Sequence, residues 1–206
     1  MNKGLLIVVL SPSGGGKGTI LKEILSTGKK IRFSVSATTR APRPGEIDGE
    51  HYYFIDKDRF EKMIESGEML EYAEYCGNYY GTPKAPVEEW REEGYDVVLE
   101  IEVQGGAQVK RLAPDAVSVF IMPPSFEVLE NRLRRRGTEN EDTIAGRMKT
   151  AYNEIDYASQ CDYIVVNDCL EDAVEDMKAI LRAERCRLEN MKTFIEGVRK
   201  NAKTIS

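Results

Sequence analysis

The densest run of chemically capable residues in this chain is Ser11-Pro12-Ser13-Gly14-Gly15-Gly16-Lys17-Gly18-Thr19. Glycines at this density let successive backbone N–H groups turn toward one point, and a helix N-terminus behind them adds partial positive charge. Lys17 brings a compact full charge suited to the β and γ phosphates of a nucleotide. Two positions depart from the common GxxxxGK[ST] pattern. Ser11 stands for the first glycine, and Gly18 for the hydroxyl residue that often holds Mg²⁺, with Thr19 one place later. Ser13, Gly14, Gly15, Gly16, Lys17, Gly18 and Thr19 are therefore candidates for binding a triphosphate. A plain flexible turn is the competing account, and the buried-strand pattern just before the loop argues against it.

Cationic and carboxylate groups elsewhere suggest a second anion site. Arg40 and Arg43 lie three apart with Pro42 stiffening the stretch between them, and planar guanidinium forks suit a phosphate monoester dianion. Tyr52 and Tyr80 each offer a hydroxyl to such an anion. The arginines alone would equally suit a solvated basic loop. Glu100 and Glu102 end the apolar strand Val97–Ile101, where charges point into the ligand crevice of a doubly wound sheet, unless they are a simple strand-end pair. A single histidine, His51, makes imidazole-base chemistry unexpected, and four cysteines without CxxC spacing read as idle thiols, not a zinc or disulfide framework.

These groups must be positioned by a domain of 206 residues, 41% hydrophobic and 31% charged, which suits one α/β domain with inserted parts. Leu5–Leu10 is a continuous apolar run fit for a strand buried on both faces, followed by a helix from about Gly18 to Ser26 closed by Gly28. Residues 97–101, 117–121 and 163–166 read as further core strands. Residues 36–85 differ in character: a helix at 58–64 ended by Gly67, and a hairpin of Leu70–Tyr75 and Tyr79–Gly81 turning at Gly77-Asn78. Between 125 and 158, Ser125 can cap a first helix, Gly137 breaks it, and Thr138-x-x-Glu141 can cap a second, an arrangement fit for a mobile basic lid. Residues 168–198 predict one long amphipathic helix opened by Asp168-x-x-Glu171. The six-residue apolar run at the start is too short for a signal peptide or a membrane span, so a cytoplasmic protein with no membrane partner is expected. A net charge of −6 argues against broad nucleic-acid binding but leaves room for a local cationic pocket.

The stretch Ser34-Val35-Ser36-Ala37-Thr38-Thr39-Arg40-Ala41-Pro42-Arg43-Pro44-Gly45-Glu46-x-x-Gly49-x-x-Tyr52-x-Phe54 resembles the guanylate kinase signature nearly position for position. So does Glu71 followed by Gly77-Asn78-Tyr79-Tyr80-Gly81-Thr82. The Gly-Lys-Gly-Thr variant of the glycine loop resembles that of several nucleoside monophosphate kinases. With the segment from Arg132 to Arg147, the resemblance covers nearly the whole chain.

It implies an α/β fold, a P-loop NTPase-type parallel sheet with helices on both faces, plus an inserted nucleoside-monophosphate-binding subdomain and a helical lid. The expected division of the single domain 1–206 is a core (1–35, 86–124, 159–206), a GMP-binding subdomain (36–85) and a lid (125–158). The implied reaction moves the γ-phosphoryl group of ATP, bound with Mg²⁺, onto GMP. Nothing in the sequence reads a 2′-hydroxyl, so dGMP is expected alongside GMP.

By the same resemblance, Arg40, Arg43, Tyr52 and Tyr80 hold the GMP phosphate. A carboxylate accepting the guanine N1–H and N2–H₂, with hydroxyl donors at O6, rewards guanine over adenine. The resemblance gives these roles to Glu71, Ser36 and Thr82. It places Glu102 at the guanine amino group and Glu100 near Lys17, where with Thr19 it would approach Mg²⁺ through water. Lys17, Arg40, Arg132, Arg136 and Arg147 are the implied catalytic cations, and Asn167 the adenine-side contact. Two other readings compete: a non-catalytic scaffold module of similar fold, and a P-loop kinase for another monophosphate. The intact Lys17 loop disfavours the first. The choice between monomer and homo-oligomer stays open.

Overall fold

The computed structural model describes residues 2–26, 30–75, 77–135 and 140–203. In chain order the elements are β1 (Leu6–Leu10), α1 (Lys17–Ser26), β2 (Ile31–Phe33), β3 (Ala37–Thr38), β4 (Tyr53–Phe54), α2 (Lys57–Glu65), β5 (Met69–Tyr75), β6 (Asn78–Pro83) and α3 (Lys84–Glu92). There follow β7 (Asp96–Glu100), α4 (Val103–Leu112), β8 (Val117–Met122), α5 (Phe126–Arg135), α6 (Glu141–Ile155), a 3₁₀ turn (Asp156–Gln160), β9 (Tyr163–Val166), α7 (Leu170–Arg185) and α8 (Leu188–Lys203).

Five strands pair in parallel in the order β2-β7-β1-β8-β9. β1 is buried along its whole length because helices cover both faces of the sheet, and the strand's period of two divides its side chains between them. Ile7 and Val9 join Ile20, Leu21 and Ile24 of α1 and Ala173, Met177 and Leu181 of α7. Leu6, Val8 and Leu10 point the other way, against Val87 of α3, Val103 and Val109 of α4, and Ala158. The strand order reverses direction at β1, so the crevice beyond its carboxyl end is where a ligand is expected to sit.

The second sheet has four strands in the order β4-β3-β6-β5, with β3 parallel to β4 and antiparallel to β6. α2 covers one face of it. Asp56 accepts the Arg59 N–H at 2.8 Å to cap this helix, and Phe60, fully buried, stacks on Tyr79 with ring centroids 5.2 Å apart.

Three local expectations need correction. The parallel sheet has a fifth strand, Ile31–Phe33, which three half-buried residues did not announce. The C-terminal helix is two helices: the chain breaks at Cys186 and Arg187, where the Glu184 carbonyl accepts both the Arg187 N–H at 3.2 Å and the Asn190 side-chain amide at 2.7 Å. Its first half starts after Cys169, not Asp168; Cys169 makes no side-chain capping bond to the backbone, and its thiol donates to the Glu171 carboxylate. α6 is capped by Asn140, which accepts the Thr143 N–H at 2.9 Å, in place of Thr138. Gly28, Cys76, Arg136, Gly137 and Thr138 lie outside the described residues.

Truncating Phe60→Ala would leave a cavity under the second sheet. The expected loss is about 3–5 kcal/mol of stability, read from urea unfolding; a loss within 1 kcal/mol would show that the α2 face is not packed as described.

Candidate active site

The glycine loop joins β1 to α1 and is built by its glycines. The Gly15 N–H closes a turn on the Pro12 carbonyl at 2.9 Å, and Gly14 and Gly16 take φ of +90° and +91°. Only glycine holds that backbone without strain. Gly16 is further constrained by space, since a Cβ there would lie 2.2 Å from the Asn167 amide nitrogen. That amide donates to the Gly15 carbonyl at 2.8 Å, and the Asn167 carbonyl accepts from Arg132 at 2.8 Å. Asn167 is buried, and this bracing of the loop is what its amide nitrogen does.

Charge converges on the loop. Lys17 is half-buried and donates to the Ile101 carbonyl at 3.0 Å. Burial pushes its ammonium below the ordinary value, while Glu100, Glu102 and Glu154 pull it back up. Arg132 lies across the loop mouth. One of its terminal nitrogens, Nη1, is buried with no hydrogen-bond partner among the described residues, and it stands 4.0 Å from where a Gly16 Cβ would be. A buried cationic N–H without an acceptor carries a real cost, and a phosphate oxygen on the loop would relieve it. Glu100 Oε1 stands 3.8 Å from the place of a Gly18 Cβ, so a carboxylate occupies the neighbourhood of the hydroxyl that Gly18 lacks. An oxygen ligand there suits Mg²⁺. Arg147 is half-buried on α6, the helix that follows the segment containing Arg136.

The second sheet gathers the other group. Ala37 faces Gly81 and Tyr53, so the same register sets Ser36 between Thr82 and Tyr52; Thr82 in turn faces Glu71. Direct cross-strand neighbours share a face, so Tyr52, Ser36, Thr82 and Glu71 form one row, with Tyr80 two residues along from Thr82. The Tyr52 and Tyr80 rings are 6.1 Å apart, and the Arg40 guanidinium lies 5.5 Å from the Tyr52 ring. Arg43 is exposed at the rim. Thr82 donates to Glu71 Oε1 at 2.6 Å. Glu71 is only 7% exposed, contrary to the ordinary expectation for a lone strand glutamate. Burial, and secondarily the charge of Glu102, raise its carboxyl above the usual range against the lowering effect of the Thr82 bonds.

Two site carboxylates carried no expected role. Glu46 takes both terminal nitrogens of Arg40, at 2.8 and 2.9 Å, and the Arg43 N–H at 2.7 Å. Those bonds, Arg40's first, hold it down at about 2. Glu154 accepts the Ser13 N–H at 3.0 Å, putting a carboxylate on the glycine loop itself. The available signal was its spacing: Glu154 lies seven residues after Arg147, two helical turns along the same face. Arg134 turns elsewhere, pairing with Glu130 and Glu141.

Substitution Gly16→Ala tests the loop. Forcing an L-residue into its φ costs roughly 1–2 kcal/mol, and the added carbon displaces the Asn167 brace. Calorimetry should show ATP binding weakened by at least about tenfold; unchanged affinity would mean that the loop shape does not matter.

The comparisons with known proteins agree with this geometry. The guanylate kinase family model matches residues 3–184. A guanylate kinase of Desulfitobacterium hafniense is 51% identical over 197 residues, covering 96% of this chain and 98% of that protein. One from Carboxydothermus hydrogenoformans is 52% identical over 199 residues with the same coverage. The crystal structure of guanylate kinase from Anaplasma phagocytophilum superposes with a TM-score of 0.72 at 36% identity, over 92% of this chain and 90% of that one. Matched by the family model over most of its length and by these relatives along nearly their whole length, the chain belongs to the guanylate kinase family.

Proposed function

We propose that this enzyme transfers the γ-phosphoryl group of ATP to GMP, and to dGMP, giving ADP and GDP or dGDP, with the residues above in the following roles. The observation that carries the assignment is Glu71: a buried carboxylate, fixed by Thr82, with its other oxygen against Gly105 of α4. Guanine offers it two N–H donors, with Ser36 as a hydroxyl donor for O6 and Thr82 able to serve O6 only by turning its one hydroxyl proton away from Glu71. Adenine would leave the charge unsatisfied. Arg40, Arg43, Tyr52 and Tyr80 take the GMP phosphate, and Glu102 lies close enough to both Glu71 and Lys17 for its charge to act on each.

ATP lies on Ser13 to Thr19, with Asn167 at the adenine side as well as bracing the loop. Mg²⁺, when bound with ATP, neutralises charge on the β and γ phosphates, and Glu100 with Thr19 would hold it through water. Lys17, Arg40, Arg132, Arg136 and Arg147 stabilise the charge that spreads over the transferred group. Phosphoryl transfer has a loose transition state, so positioning and charge neutralisation are the main tasks, and no protein base is needed because the acceptor is already an anion. The core (1–35, 86–124, 159–206), the GMP subdomain (36–85) and the lid (125–158) close on one another, excluding water that would otherwise hydrolyse ATP. No helix among the described residues is long and apolar enough to cross a membrane, and a cytoplasmic enzyme acting on two small nucleotides fits that.

A coupled assay of ADP release with each nucleoside monophosphate tests the reading. Lys17→Ala and Arg40→Ala should each lose roughly 3 kcal/mol or more of transition-state stabilisation, about a hundredfold in kcat/KM. Near-normal turnover in both would remove the mechanism, and AMP used as well as GMP would remove Glu71 as discriminator.

Acidity gives a separate check. Only ionised Glu71 accepts two N–H groups, and its carboxyl is held above the ordinary 4.5 by burial. Protonation therefore begins at higher pH than for an exposed glutamate, and KM for GMP should climb as pH falls into that window. The sign for stability is opposite: the ligand-free fold is relieved as Glu71 takes its proton. Ionisation of the GMP phosphate is common to wild type and Glu71→Gln, so the difference between their profiles isolates this group. Coincident profiles would contradict the assignment.

A further inference from the structure

Glu71 is on β5, yet what surrounds its far oxygen belongs to the core. α4 begins immediately after Glu102 and carries two consecutive glycines in its first turns. They face different neighbours. A Cβ on Gly106 would meet Leu10 of the central strand at 2.7 Å. A Cβ on Gly105 would meet Glu71 itself, at 2.7 Å from Oε2, 3.2 Å from Cδ and 3.3 Å from Cγ. Three residues on, and so on the same side of the helix, Gln108 holds the backbone of Tyr72. Its amide nitrogen donates to the Tyr72 carbonyl at 2.8 Å, and its carbonyl oxygen accepts the Tyr72 N–H at 3.2 Å. The helix thus clamps the residue next to Glu71 and leaves a slot one methyl group deep for the carboxylate.

We infer that Gly105 and Gln108 are specificity-determining residues: they position the guanine-reading carboxylate from the core side, Gly105 by the room it leaves and Gln108 by fixing the strand. The inference rests on Glu71 reading guanine. Neither residue touches the base. Both act through Glu71, whose two oxygens can meet N1–H and N2–H₂ together only from one place. The other oxygen is already tied to Thr82 at 2.6 Å. A side chain at Gly105 therefore cannot be accommodated by a harmless rotation at a flexible tip. The atom that must yield is the reading oxygen.

Helix propensity makes the opposite forecast for stability, which makes the variant informative. Alanine is the better helix former, and Gly105 does not have a positive φ. Gly105→Ala should consequently keep the fold, with an unfolding midpoint no lower than wild type's by more than a few degrees. A displacement of several tenths of an ångström at the reading oxygens should raise KM for GMP about tenfold or more, while KM for ATP stays within about twofold. The ratio of kcat/KM for GMP over AMP should fall in parallel. Gln108→Leu keeps the bulk and removes both clamp bonds. It should move the same two quantities in the same direction, and it serves as the second variant if Gly105→Ala does not fold.

Glu71→Gln run alongside separates the two levels. If Glu71→Gln keeps its preference for GMP over AMP, the base-reading assignment itself fails. If that preference collapses while Gly105→Ala and Gln108→Leu keep wild-type KM for GMP, the assignment stands and the positioning role of α4 is overturned. Loss of ATP and GMP affinity together in both α4 variants would also overturn it, since general damage to the core predicts that and repositioning of Glu71 does not.

Discussion

The structure depends on keeping the backbone of one short loop in a conformation it would not hold alone. From Ser11 to Thr19 the chain has too few side chains to pack and two glycines at positive φ, so its shape must be imposed from outside. Four separate elements impose it. The residue after β9 ties Gly15 through Asn167, α5 reaches Asn167 through Arg132, α6 takes the Ser13 N–H with Glu154, and the residue after β7 accepts Lys17 at the Ile101 carbonyl. Leu129 and Leu133 of α5 close over Gly14, where a Cβ would lie 2.9 Å from Leu133. A loop fixed this way presents its N–H groups already aimed, which is what electrostatic stabilisation of a transferring phosphoryl group requires.

The same elements explain how an acidic protein makes a cationic site. The net charge of −6 is spread over the surface, while Lys17 and Arg132 are withdrawn toward the core, where a local charge acts through less water. Burial pushes the Lys17 ammonium down, and three nearby glutamates offset part of that. The Arg132 nitrogen is the complementary feature, a buried donor for which the described residues supply no acceptor.

Much of this was legible in the chain because it follows from local rules. The run Leu5–Leu10, the glycines after it, the hairpin at Gly77-Asn78 and the helix ended by Gly67 each carry their cause in adjacent residues. What was not legible depends on distant partners. Ile31–Phe33 is a strand because β7 stands beside it, and three residues hold no period of their own. The break at Cys186 has neither glycine nor proline to mark it, and is secured by Asn190 reaching back to the Glu184 carbonyl. Glu71 is singled out only through the family motif; its burial has no local mark, because its cover comes from α4, more than thirty residues later, through a helix whose two glycines weaken its own signal. Glu154 is not singled out, and Glu46 stands in the signature without a role, for a related reason: glutamates are common on surfaces, and only the fold shows which partners they take.

The pairing of Arg40 with Glu46 sets a condition on every visitor to the second sheet. Before any nucleotide arrives, that guanidinium is clasped across both terminal nitrogens and rests against the Tyr52 ring. The disorder of a long side chain has already been surrendered, so an incoming ligand does not have to bear that loss. Yet the resident carboxylate is also a competitor, kept ionised far into acid. An uncharged nucleoside has nothing to trade for such a bond, whereas a dianion can share or displace it. On the role proposed for Arg40 at the acceptor phosphate, its own carboxylate partner would thereby favour visitors that bring negative charge.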